Sequence, residues 1–247
     1  MAKPRPLVYL IGDAPLVQEF GEICFAAGYA VACTARSGQK ISPKHFKKST
    51  TVPRMAYIAV ELTNTDTAIK RKNLRSIDRA IPRPTIILSS SVTVTTTEQA
   101  SWIRHPDRLV GIGALPTLLS GKLIELAASL QTNRATISDA GGFFAKLGKE
   151  TALVQDRVGM VMPRILCALI NEAFFALTEN IASPDDIDGA MKLGANYPIG
   201  PIEWADKIGI QQVLSVLGAL HADLGEERYR ISPLLKQMAA SGPWLPT

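Results

Sequence analysis

Histidine and cysteine are scarce in this chain, with three of each in 247 residues. Cys24, Cys33 and Cys167 stand in apolar surroundings without C-x-x-C spacing, which excludes a zinc-ligand pattern and a disulfide framework. A sparse, odd set of this kind predicts reduced core residues in a cytoplasmic protein. No apolar run approaches the ~20 residues that cross a bilayer, so no membrane span is expected. Met1-Ala-Lys-Pro-Arg-Pro6 carries two cations, but no apolar stretch of signal-peptide type follows it. Aromatics make up only 6% of the chain. The basic runs Lys44–Lys48 and Lys70–Lys72 lack the repeated aromatics of a single-strand stacking platform, so nucleic acid is not an expected partner.

Apolar side chains, by contrast, are plentiful. They are 47% of residues, enough for a sizeable core, and the formal charge is +5. Leu7–Ile11 is a short apolar run ending in Gly12, which reads as a buried parallel strand. Leu16, Val17, Phe20, Ile23, Cys24 and Ala27 recur at helical spacing, and Gly28 follows as a cap. A second strand is expected over 30–34, loop over 35–54, and strands over 56–60 and 85–88. A helix over 67–80 and a short one near 98–103 lie between and after them. Two strands over 109–112 and 122–126, a helix over 132–146 and a strand over 152–154 complete the series. Strands alternating with helices predict an α/β, Rossmann-like doubly wound sheet over residues 1–154.

Strand signals then stop. Met160–Glu179 is a long apolar helix with Pro163 in its first turn, and Ser183-Pro-Asp-Asp186 is a helix start with a serine cap. Helices over 208–224 and 233–240 follow, so residues 155–247 are expected to form an all-α domain.

Dinucleotide-binding turns of the Rossmann type read G-x-G-x-x-G. Here the turn reads Gly12-Asp-Ala14-Pro-Leu-Val17, and only the first glycine stands. Ala14 adds a methyl where a phosphate would approach, and Val17 adds bulk where helix and strand pack. Asp13 brings a negative charge, and Pro15 removes a backbone donor. The acidic residue that would hold a ribose after the second strand is replaced near Thr34-Ala35.

Two longer stretches carry a resemblance. The run Ala182-Ser-Pro-Asp-Asp-Ile-Asp-Gly-Ala-Met-Lys-Leu-Gly-Ala-Asn-Tyr-Pro-Ile-Gly-Pro-Ile-Glu-Trp-Ala-Asp-Lys-Ile-Gly209, with Ser232-Pro-Leu-Leu235 after it, closely resembles the C-terminal domain of the 3-hydroxyacyl-CoA dehydrogenases. Arg108-Leu-Val-Gly-Ile-Gly113 through Glu125 resembles that family's catalytic segment. Asn196–Trp204 looks especially like the degenerate C-terminal copy in long bacterial enzymes of phenylacetate breakdown.

The resemblance implies an oxidoreductase that uses NAD on 3-hydroxyacyl-CoA in fatty-acid metabolism, and a homodimer built on the helical domain. Mapped residue by residue, the family's general-base histidine falls on Gly113 and its orienting glutamate on Glu125. Its oxygen-binding serine falls on Val92, with Ser89, Ser91 and Thr93 as nearby substrate candidates. Its asparagine at the start of the second domain falls on Pro163. The cofactor positions fall on Gly12, Ala14, Val17, Ala35, Glu61 and Lys70. The helical hairpin that helps hold CoA in the family is missing after the second strand.

The chemistry needs a base for the hydroxyl proton, a role worth ~10²–10⁴ in rate. His45, His105 and His221 do not supply it; His105 reads as solvated loop and His221 as surface or partly packed. Three readings stay open. One is a family member with weak or lost activity, in effect a pseudoenzyme. Another is an active enzyme with a rearranged site, Glu125 serving as base. The third is a non-catalytic protein that binds acyl-CoA or serves as a partner or scaffold.

Overall fold

Apolar runs bounded by glycine and proline become the strands of the first of two units. The computed structural model describes residues 4–35 and 45–241. It divides into Met1–Met160 and Val161–Thr247.

In the first unit the strands are β1 (Leu7–Gly12), β2 (Ala30–Ala35), β3 (Lys47–Lys48), β4 (Ile58–Leu62), β5 (Ile86–Ser90), β6 (Leu109–Ile112), β7 (Leu123–Ala128) and β8 (Glu150–Val154). Between them run α1 (Ala14–Ala26), α2 (Thr67–Ala80), α3 (Thr96–Ala100) and α4 (Arg134–Lys146). The strands form one sheet in the order β3-β2-β1-β4-β5-β6-β7-β8. Every pair is parallel except β6–β7. A parallel sheet must be covered on both faces, and β1 shows how. Val8 and Leu10 pack into one core with Leu16, Val17 and Phe20 of α1 and Phe143 and Phe144 of α4. Tyr9, one residue out of phase, packs with Leu74 and Ile77 of α2 on the other face. Phe20, Phe143 and Phe144 meet with ring centroids 6.3, 6.1 and 5.4 Å apart, contacts worth about 0.5–1.5 kcal/mol each beyond area burial.

The second unit is helical: α5 (Met162–Thr178), α6 (Pro184–Gly194), α7 (Pro201–Ile208), α8 (Ile210–Leu224) and α9 (Pro233–Ser241). α5 packs against α7, α8 and α9. Leu166, Cys167, Ile170 and Phe174 are its buried apolar stripe, spaced as an amphipathic helix requires. Ser183 caps α6 as expected, its hydroxyl accepting from the Asp186 N–H at 3.2 Å. Gly209, with φ +91°, separates α7 from α8.

Several expectations need correction. The segment expected to be loop carries β3, paired with β2 through Ala32–Lys47 and Cys33–Lys48. β4 begins two residues later than its apolar run, because Ala56 closes a turn by donating to the Pro53 carbonyl at 3.2 Å. α7 was not expected at all. His105 lies in a loop with its side chain partly exposed, as expected, but its Nδ1 also lies 3.1 Å from Asp78, a contact the sequence did not suggest. Asp78 also holds the buried Arg108 at 2.8 Å. Burial pushes the Asp78 carboxyl up, but hydrogen bonds from Arg108, the Arg104 N–H and His105 outweigh it and hold the group below its usual range.

All three cysteines are free and buried. Burial pushes the Cys24 and Cys167 thiols far up, which suits structural residues rather than nucleophiles. Lys44 and the tail from Gly242 lie outside the described residues. Ala35 ends β2, and its side chain is likewise not described. No described helix is long and apolar enough to cross a membrane. Among the described residues no cluster of His, Cys, Asp and Glu could hold a metal.

Candidate functional site

β1 lies between β2 and β4, so the chain reverses its direction across the sheet there. In doubly wound sheets ligands enter at the C-terminal ends of the strands beside such a reversal. The residues at those ends define the candidate site.

Gly12 closes β1 with φ +146°, and a Cβ on it would stand 2.4 Å from the Leu62 carbonyl carbon. Glycine is therefore required by the approach of β4. Asp13 follows as the N-terminal residue flanking α1, but its side chain makes no cap bond to that helix. The fully buried carboxylate reaches β4's following loop instead. It accepts from the Asn64 and Thr65 N–H groups at 2.9 and 3.3 Å and from the Thr65 hydroxyl at 3.0 Å. Ala14, Leu16 and Val17 are buried in the core. Pro15 occupies the first turn of α1, so one of its orphan N–H donors is missing. The Val17 N–H already bonds to the Asp13 carbonyl at 3.0 Å.

A pyrophosphate needs open backbone, free donors and no like charge. This turn supplies a buried methyl, a proline and a carboxylate, and it does not fit that group.

Glu61 and Lys70, expected at cofactor positions, form an ion pair with side chains essentially sealed from solvent. Glu61 also accepts from the Thr63 N–H at 3.1 Å and from Asn73 at 3.1 Å. Lys70 donates to the Ser89 hydroxyl at 3.3 Å. Both groups are buried and take their partners from within the unit. Ser89 and Ser91, expected near substrate, are equally fully buried. Ser89 donates to Gln99 Oε1 at 2.5 Å, and Gln99 Nε2 donates to Ser91 at 2.9 Å. Thr93 is half-buried.

β6 and β7 run antiparallel, with Ile112 opposite Leu126. The next step of that register sets Gly113 against Glu125, and the Gly113 N–H donates to the Glu125 carbonyl at 2.9 Å. A Cβ at position 113 would lie 3.2 Å from the Glu125 Cβ, 3.5 Å from its Oε2 and 3.6 Å from the Met160 sulfur. The twelve-residue spacing seen in the sequence is therefore a cross-strand pair. A side chain at 113 would rest against the buried carboxylate of Glu125. Val92, on which the resemblance places an oxygen-binding serine, is fully buried. Pro163, in the second unit, lies buried in the first turn of α5.

Two groups at these strand ends, Asn64 and Ser90, escaped the sequence reading, as did Glu19 on α1. Asn64 donates to the Ala114 carbonyl at 2.9 Å and accepts from the Ser90 hydroxyl at 2.6 Å. Their signal was only polarity at the ends of apolar runs, which many loop residues share.

Comparison with known proteins agrees with this architecture. Residues 22–157 match the family model described as 3-hydroxyacyl-CoA dehydrogenase, NAD binding domain. Residues 159–244 match the model described as 3-hydroxyacyl-CoA dehydrogenase, C-terminal domain. The chain is 36% identical over 190 residues to the protein named Probable 3-hydroxybutyryl-CoA dehydrogenase of Bacillus subtilis, covering 77% of this chain and 66% of that protein. It is 36% identical over 177 residues to 3-hydroxybutyryl-CoA dehydrogenase of Bradyrhizobium diazoefficiens, covering 72% of this chain and 60% of that one. The matches thus span just under two thirds of these relatives' length. The crystal structure of (S)-3-hydroxybutyryl-CoA dehydrogenase from Ralstonia eutropha superposes with a TM-score of 0.78 at 28% identity, covering 96% of this chain and 94% of that one.

Proposed function

We infer the function from one premise, that the chain belongs to the 3-hydroxyacyl-CoA dehydrogenase family: it is a member in which NAD-dependent oxidation of 3-hydroxyacyl-CoA is weak or lost. The observation that carries this reading is position 113. It stands directly against Glu125, a Cβ there would already press to 3.2 Å of the Glu125 Cβ, and it is glycine. Hydride can leave the 3-hydroxyl carbon only as the hydroxyl proton is taken up, and no imidazole is there to take it. Val92, at the position of the family's oxygen-binding serine, likewise offers no hydrogen bond to the substrate oxygen as charge develops on it. Glu125 keeps its place, and position 113 opposite it carries no imidazole for it to orient. What remains to the fold is binding, with an acyl-CoA as the ligand class the family points to.

The test is NADH consumption with acetoacetyl-CoA at high protein concentration. A missing base costs ~10²–10⁴ in rate, and missing oxyanion donors a further ~10²–10³. Turnover should therefore sit at least ~10⁴-fold below that of a family member with histidine at this position. Steady turnover abolished by Glu125→Gln would overturn the reading and make Glu125 the base of a rearranged site.

Assembly of two copies through the helical unit belongs to the same reading. α6 buries no side chain, and Leu193 on it is 91% exposed. Val161, Met162 and Ile165 at the start of α5 are also exposed. Exposed large apolar side chains of this kind are what an interface would cover. Sedimentation equilibrium should give twice the 26.6 kDa chain mass; a monomer at micromolar concentration would count against it.

A further inference from the structure

The connection between β6 and β7 is clasped to α1. Glu19 sits on that helix, and its carboxylate accepts from the Thr117 N–H at 2.9 Å and from the Ser120 N–H and hydroxyl at 2.8 and 2.6 Å. Lys149 steadies the same turn, donating to the Gly121 carbonyl at 2.8 Å. The turn is not relaxed. Thr117 has φ +72°, a left-handed conformation that a β-branched residue rarely adopts. Its hydroxyl is buried without a hydrogen-bond partner. Strain of this sort persists only where the surroundings impose it, and Glu19 is the group that grips the strained peptide.

The clasp continues a line of bonds across the strand ends. Asp13 after β1 holds Asn64 and Thr65 after β4. Asn64 in turn holds Ala114 after β6 and is held by Ser90 at the end of β5. Beneath this line, Ala114 and Leu119 pack in the same core as Ala14, Leu16 and Val17. The groups that would face a ligand in a doubly wound sheet are here bonded to one another.

We propose, building on the reading of a non-oxidising family member, that Asp13 and Glu19 are internal ligands of this crevice. Asp13 fixes a buried negative charge at the turn where a pyrophosphate would lie and ties it to the loop after β4, and Glu19 locks the β6–β7 connection to α1. The first unit thereby excludes a dinucleotide. Lost catalysis and lost cofactor binding are then separate events with separate residues: Gly113 for the first, Asp13 and Glu19 for the second.

Two measurements on the full chain test this. The first is titration with NADH, read by its own fluorescence, which needs no turnover. The lock predicts no saturable signal up to millimolar NADH. Saturation below that overturns it, and does so even if the protein turns nothing over, in which case the missing-base reading stands alone. The second is amide hydrogen exchange. In Glu19→Ala the Thr117 and Ser120 amides should exchange about ten- to a hundredfold faster, since charge-assisted bonds are the stronger kind. Glu19→Gln, which keeps an accepting oxygen, should recover part of the protection. Unchanged exchange at both amides in Glu19→Ala would show that the carboxylate does not hold the turn, and the proposal would fail.

Discussion

Replacing Lys70 with methionine should destabilise the first unit by about 3–5 kcal/mol in urea unfolding, because it leaves a buried carboxylate without its counter-charge. Glu61 and Lys70 are both fully buried and paired. Their pairing in the folded state offsets the cost of taking two charges out of water. Removing the ammonium alone leaves that cost on Glu61. The Thr63 N–H and Asn73 still donate to it, but neither carries charge. A loss of that size is a large share of the ~5–15 kcal/mol that holds a typical domain together. The double variant Glu61→Leu, Lys70→Met should recover most of it, since a buried pair replaced by apolar groups is often neutral or better. The outcome separates two roles. Were these residues nucleotide contacts, Lys70→Met would change ligand affinity and leave the unfolding midpoint within about 0.5 kcal/mol of the parent, as ordinary surface substitutions do.

Gly12→Ala should be more damaging still, costing at least about 4 kcal/mol, in the range reserved for overpacking and forced backbone strain. Two effects act together. With φ at +146° an L side chain is strained wherever it points, and the new methyl would meet the Leu62 carbonyl carbon at 2.4 Å. The obstacle is backbone, so no rotamer can swing aside. Nor can β4 retreat, since Val8–Gly12 is paired with Ile58–Leu62 along its length. Thermal unfolding of the variant, or its failure to accumulate in soluble form, is the readout. A variant melting within a few degrees of the parent would show that β1 and β4 can separate at this end.

That glycine also shows how the sequence can identify a residue's need without its cause. Gly12 was read as the surviving first glycine of a dinucleotide turn. The structure ties it to the approach of Leu62, a requirement that holds whether or not a nucleotide binds. The doubly wound sheet and the all-helical second unit were legible because they rest on apolar periodicity, which is local. Where polar residues lie inside strands the periodicity misleads. Glu61 and Ser89 fall just past the expected apolar strands, yet each lies within β4 or β5. They are tolerated there because Lys70 on α2 and Gln99 on α3 satisfy them. The same applies to His105: its proximity to Asp78 is created by the packing of α2 and is invisible from a histidine next to a proline. α7 was missed because it is short and opens on Gly200-Pro201, although Ile202, Ala205 and Ile208 recur at helical spacing. At the candidate site the Gly113–Glu125 pairing could be suspected from spacing and resemblance. The clasp at Glu19 could not, since Thr117 and Ser120 lie about a hundred residues further along the chain.

The antiparallel step between β6 and β7 has a consequence for how such a protein can change over generations. Main-chain bonds alone keep positions 113 and 125 abreast, as the Gly113 N–H to Glu125 carbonyl contact shows. That alignment asks nothing of the side chain at 113, and glycine there relieves a Cβ contact that would press to 3.2 Å of the Glu125 Cβ. A substitution there can silence chemistry and leave an intact, heritable scaffold, free to be recruited for another task.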